Sequence, residues 1–210
     1  FGHSMHSYYS RQNQPYQYAG YSIFVAEVAS TCNEELLFDY LMNTIEDENQ
    51  KIYLLNHWLD GFRGTVFRQT MFAEFEHLIH EMDRNGEALT AERLTEVYYD
   101  LNKQYFGEAM TVDKEIGLEW ARIPHFYYNF YVYQYATGQS AATALSKQIL
   151  EEGQPAVDRY VNNFLKAGCS DFPIEVLRAA GVDMESSKPI AEACKVFEEK
   201  LNELERLLLK

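Results

Sequence analysis

Apolar residues recur along this chain at helical spacing almost from end to end. Ser22 is a suitable cap for a long helix running to about Asn49, with Phe24, Val28, Leu36, Leu37, Tyr40 and Leu41 as its apolar positions. Before it, His3 to Ser10 reads as the tail of a helix. Arg11 to Tyr21, with Gln-Asn-Gln-Pro and an internal Gly20, reads as a loop. A second long stretch covers Gln50 to Met82, with interruptions placed at Gly61 and Gly64, and Asp83-Arg84-Asn85-Gly86 reads as a turn. Thr90 opens a helix to about Phe106 that Gly107 stops. Proline disfavours helix in the residue before it, so Trp120 to Pro124 marks a break. Helices are then predicted over Ser140–Glu152, Pro155–Ala167, Pro173–Ala180 and Pro189–Leu208, three of them opening on a proline suited to a first turn. No segment alternates as a strand would, and neither repeats nor low-complexity tracts occur. The predicted fold class is all-α.

Composition narrows the function classes. A hydrophobic content of 47% over 210 residues supports a folded core. The formal net charge of −14 argues against nucleic acid or an anionic membrane as a partner, because both need a basic face. No apolar run approaches the ~18 residues of a membrane span. Cys32, Cys169 and Cys194 are odd in number and far apart, so they indicate neither a disulfide framework nor a cysteine metal site; a reducing, cytoplasmic setting fits them.

The chemistry is concentrated at the start of the chain. Phe1-Gly2-His3 reads as the second half of an H-E-x-x-H zinc motif, in which two histidines one helical turn apart hold the metal and the intervening glutamate acts as general base. On this reading the first histidine and the glutamate would immediately precede Phe1, and the chain would be a fragment of a longer enzyme. Glu27 lies 24 residues after His3 on a separate predicted helix, among Phe24, Val25, Ala26, Val28 and Ala29. A carboxylate in such a setting calls for a positive partner, and a metal ion would be one. Glu34, two helical turns beyond Glu27 on the same face, is placed to accept the remaining N–H of a metal-bound imidazole. His6, one turn from His3, is assigned to the substrate side. Blander readings accompany each: a lone histidine near a chain end is commonly structural, and Glu27 and Glu34 could be solvated. His77 and His80 match neither H-E-x-x-H nor its inverse and read as structural.

A second region of interest is Ile123 to Tyr135, which holds His125, Tyr128, Tyr131 and Tyr135. Peptide hydrolysis builds negative charge on the scissile carbonyl oxygen, and a tyrosine hydroxyl or imidazole N–H aimed at it lowers the barrier. If the segment is helical, Tyr128, Tyr131 and Tyr135 share one face with His125 a turn earlier; the same stripe also suits simple packing.

Together the segments Phe1–Ser7, Phe24–Ser30, Phe67–Glu76, Pro124–Gly138 and Phe164–Pro173 resemble the oligoendopeptidase F branch of the thimet-oligopeptidase-like zinc metallopeptidases, over essentially the whole chain. The resemblance implies a mostly helical, zincin-like catalytic lobe of a bilobed oligopeptidase, its channel admitting unstructured oligopeptides. Residues 1–210 would be the C-terminal part of the catalytic domain. It implies one Zn2+ held by His3 and Glu27 as metal ligands, with Glu34 behind them. His125, Tyr128 and Tyr135 would be catalytic, with Tyr131 and His6 contacting substrate. The expected partners are oligopeptide substrates and the missing N-terminal part of the same enzyme. Without the first histidine and the general base, these residues are expected to be inactive alone. The alternative is a non-catalytic helical domain that binds peptides or a partner through the aromatic segment. A di-metal carboxylate bundle would need paired Glu-x-x-His motifs, and Glu74 with His77 supplies only one.

Overall fold

The computed structural model describes residues 1–209, all of them in helices, helical turns or connecting loops, with no strand among the described residues. The helices are α1 (Gly2–Asn13), α2 (Ile23–Thr44), α3 (Glu48–Phe62), α4 (Arg68–Arg84), α5 (Ala91–Phe106), α6 (Tyr133–Glu152), α7 (Gln154–Arg159), α8 (Pro173–Ala179) and α9 (Lys188–Leu208). None of them is long and apolar enough to cross a membrane.

Local signals account for most boundaries. The Ser22 hydroxyl accepts the Phe24 N–H at 3.3 Å, and Thr90 likewise caps α5 through the Arg93 N–H at 3.2 Å. Gly107, at φ 69°, ends α5, a conformation few side chains tolerate. Several boundaries depart from the sequence expectation, among them the start of α6, at Tyr133 rather than Ser140. Helix α1 continues to Asn13 because only Pro15 stops it, and a short 3₁₀ turn at Tyr16–Tyr18 replaces part of the loop. Helix α2 ends at Thr44, because the Asp47 carboxylate caps a new helix by accepting the Gln50 N–H at 3.0 Å. Between α3 and α4 the backbone widens into a π-helical turn over Arg63–Phe67 instead of breaking at Gly61 and Gly64. A second π turn, Tyr160–Leu165, follows α7.

The chain divides into two compact units. The first, residues 1–63 with 137–210, has two hydrophobic centres. The larger gathers Val25, Val28, Ala29 and Cys32 of α2 and Ala141, Ala142 and Leu145 of α6 with Phe164 and Leu177 in one cluster. In the smaller, Phe38, Leu55 and Leu59 meet Leu204 of α9. Beside it the buried Glu35 carboxylate accepts the Trp58 indole N–H and the Gln139 amide N–H, each at 2.9 Å. Burial pushes the Glu35 carboxyl above its usual range, and Lys200 lies over the Trp58 ring at 4.8 Å.

The second unit, residues 64–136, is built on Met71, Phe72 and Phe75 of α4, Tyr98 and Leu101 of α5, and Ile123 and Val132. Here Glu119 accepts from Tyr98 at 2.7 Å and from Arg68 at 2.6 Å, and also pairs with Arg122. Burial alone would raise the Glu119 carboxyl, but these donors outweigh it and hold the group below its ordinary range. Trp120 donates to the Thr95 hydroxyl at 3.3 Å.

Candidate functional site

The position of His3 is set by a glycine. At the crossing of α1 and α2, a Cβ on Gly2 would fall 2.3 Å from the Ala29 carbonyl oxygen and 2.5 Å from the Ser30 Cα. Only a residue without a side chain lets the two backbones meet so closely. The contact brings His3 of α1 opposite Glu27 of α2, with imidazole Nε2 3.2 Å from carboxylate Oε2. Both side chains remain about half exposed, at 50% and 49%. The Ser30 hydroxyl is shared between the Glu27 backbone carbonyl at 2.9 Å and Glu27 Oε2 at 3.1 Å. That contact orients the carboxylate.

This spacing suits a metal. Donors ~2.0–2.2 Å from a tetrahedral zinc lie ~3.3 Å apart along an edge of the tetrahedron, and the observed separation is 3.2 Å. His3 and Glu27 therefore fit two corners of one coordination shell. A complete shell needs more, and no group of three or more His, Cys, Asp or Glu able to hold an ion occurs among the described residues.

The loop between α1 and α2 is tied down far along the chain. The Gln14 amide donates to the Lys166 carbonyl at 2.8 Å and the Cys169 N–H to the Tyr18 carbonyl at 3.0 Å, while the Ser10 hydroxyl donates to the Ala19 carbonyl at 2.6 Å. Gly168, at φ 56°, sits so close that a Cβ there would lie 2.1 Å from the Tyr18 carbonyl oxygen. The Phe164–Pro173 segment thus serves as a clamp on the entry to α2.

His6 departs from its expected place. It is 1% exposed, stacked on Tyr21 with ring centroids 3.7 Å apart, and 4.8 Å from the Phe164 ring. Burial, with a smaller contribution from the neighbouring His3, lowers its pKa to about 4. A neutral imidazole packed in this way braces α1 against α2 and is not open to a substrate; the sequence pattern could not foresee the Tyr21 stack. Glu34 is exposed two turns beyond Glu27, with no hydrogen-bond or ionic partner among the described residues.

In the second unit the aromatic segment is not the helix that would set its tyrosines in a stripe. Pro124–Tyr127 forms a 3₁₀ turn, the chain reverses at Asn129 and Phe130 with φ of 50° and 58°, and α6 starts only at Tyr133. The rings nevertheless gather. The His125 centroid lies 5.9 Å from that of Tyr128, 5.7 Å from Tyr131 and 6.4 Å from Tyr135. The Tyr135 hydroxyl donates to that of Tyr131 at 3.2 Å. Four polar-tipped rings are thus concentrated in one cluster, with Tyr128 exposed. Gly2, Ser30 and Glu76 also shape these sites, beyond the residues that the sequence motifs single out. For Glu76 the signal was a carboxylate one turn after Phe72 on an otherwise apolar helix face.

The family model described as peptidase family M3 matches residues 1–196. The chain is 71% identical over 210 residues to oligopeptidase PepF of Bacillus subtilis (strain 168), covering all of this chain and 31% of the relative. It is 52% identical over 209 residues to the chromosomal oligoendopeptidase F of Lactococcus lactis subsp. cremoris, covering 35% of that protein. The crystal structure of oligoendopeptidase-F from Enterococcus faecium superposes with a TM-score of 0.88 at 52% identity, over 99% of this chain and 37% of that one. The chain therefore spans about one third of the length of the relatives it matches.

Proposed function

Since the chain belongs to peptidase family M3, we propose that it forms the metal-binding and substrate-facing part of a zinc oligoendopeptidase acting on short, unstructured peptides in the cytoplasm. The observation that carries this reading is the approach of His3 Nε2 to Glu27 Oε2 at 3.2 Å, held by the Gly2 crossing. In this reading His3 and Glu27 are two ligands of one Zn2+, and Glu34 steadies a further ligand. When bound there, zinc would act as a Lewis acid on the scissile carbonyl and make water acidic enough to attack at neutral pH.

The chain's own residues take defined parts. Ser30 restrains the carboxylate of Glu27, and His6 holds α1 in place from beneath. His125, Tyr128 and Tyr135 act as hydrogen-bond donors to the oxyanion, with Tyr131 on the substrate. Removing one such donor costs ~3–4 kcal/mol of barrier in comparable sites. No H-E-x-x-H occurs within the 210 residues, so they are expected to lack both a full shell and the motif's general base.

Elemental analysis of the peptidase containing this chain tests the ligand assignment. Glu27→Gln is expected to lose most of its zinc while keeping its helical circular dichroism, and full zinc retention would remove Glu27 from the shell. The 210 residues alone, given zinc, are expected not to cleave a quenched oligopeptide. Cleavage that disappears in Glu27→Gln would overturn that expectation.

A further inference from the structure

Glu76 has no part in the metal site, yet it is the most completely buried carboxylate among the described residues, at 0% exposure on α4. Its Oε1 accepts the backbone N–H of Phe130 at 2.6 Å. Its Oε2 is buried with no hydrogen-bond partner. A half-satisfied carboxylate in an apolar core is unfavourable for stability, so packing does not explain its presence. What it holds offers the explanation. Phe130 and Asn129 are the two non-glycine residues with positive φ among those described, and a bulky residue such as Phe130 enters that region only under constraint. The same turn of α4 grips Phe130 a second time. His80 packs its ring against Phe130 at 4.5 Å, and its Nδ1–H donates to the Glu76 backbone carbonyl at 2.7 Å.

The strained turn decides where the rings go. Were residues 125–135 a regular helix, His125 and Tyr135 would be separated by about 15 Å along the axis; instead their ring centroids are 6.4 Å apart. We propose that Glu76 is the positioning residue of the aromatic cluster: by anchoring the Phe130 N–H it keeps the chain reversed at Asn129–Phe130 and so gathers His125, Tyr128, Tyr131 and Tyr135 into one donor group. This inference rests on the reading of that cluster as the site's hydrogen-bond donors.

The test compares three variants of the intact peptidase by steady-state kinetics and by hydrogen exchange of the peptide spanning Phe130. Glu76→Gln keeps an acceptor oxygen and is expected to behave nearly as the parent. Glu76→Met removes the acceptor at similar volume. Its Phe130 amide is expected to exchange faster, and kcat to fall by about 10–100-fold with KM and zinc content little changed, the scale expected when reacting groups are displaced by ~1 Å. Glu76→Asp, a smaller lesion that withdraws the oxygen by one methylene, is expected to follow Glu76→Met and carries the test should that variant not fold. Unchanged exchange at Phe130 in both Glu76→Met and Glu76→Asp would overturn the anchoring. Faster exchange with undiminished kcat would leave the anchor standing and overturn the catalytic assignment of the cluster.

Discussion

The crossing of α1 and α2 and the reversal at Asn129–Phe130 both gather polar side chains, and they do so by opposite means. At the crossing every residue keeps ordinary helical backbone, and the approach depends on the missing side chain of Gly2. At the reversal the backbone is forced into the left-handed region by residues that carry side chains, and a buried carboxylate 54 residues away in sequence holds it there. One arrangement is made precise by close packing and the other by constraint. The first should be damaged by adding atoms, and the second improved in stability by removing them.

The largest effect is expected from Gly2→Val, whose Cβ would collide with backbone atoms of Ala29 and Ser30 rather than with flexible side-chain ends. Overpacking of that kind costs ~3 kcal/mol or more, measured as a shift in denaturation midpoint. Retention of parent stability would show that the helices separate freely.

Next comes the pH response of the crossing. The imidazole of His6 has its pKa lowered from 6.5 to about 4, first by burial and then by His3. A folded-state value below the unfolded one contributes stability that is present above pH 6.5 and lost as pH falls through about 4. The contribution is about 3 kcal/mol at one unit per 1.36 kcal/mol. Urea titrations between these two pH values are expected to show a steep acid loss that flattens in His6→Phe; equal slopes would argue against a buried neutral imidazole.

Gly168→Ala is expected to cost ~2 kcal/mol, since it places a Cβ against the Tyr18 carbonyl at a positive φ and loosens the clamp on the entry to α2. The smallest effect is of opposite sign. Asn129→Gly relieves one strained residue of the reversal, and a gain of ~0.5 kcal/mol is expected on thermal unfolding. A loss there would mean that Asn129 is not strained, and the contrast with Gly2 would collapse.

Features readable from the sequence were those with local causes. Ser22, Thr90 and Gly107 declare their boundaries through side chains or backbone preferences acting within a few residues. The approach of His3 to Glu27 at 3.2 Å agrees with the expectation that the two belong to one site, an expectation drawn from the Phe1-Gly2-His3 pattern and from a carboxylate among apolar neighbours. What escaped depends on distant partners. The π turn at Arg63–Phe67 has no residue code, and His6 appeared to face a substrate because its stack on Tyr21 is a product of folding. The tyrosines from 128 to 135 match a helical period so well that the reversal was hidden; its cause lies on α4.

The distribution of the indoles has a practical consequence. The chain has two tryptophans. Trp58, bound to the Glu35 carboxylate, belongs to one unit, and Trp120, bound to Thr95, to the other. Trp58→Phe and Trp120→Phe therefore give two single-tryptophan proteins whose indole emission, excited selectively over tyrosine, reports the melting of a different unit in each. Superimposable curves would mark one cooperative transition; displaced curves would give each half a stability of its own. The molecule already contains the optical probes needed to weigh its packed half against its strained one.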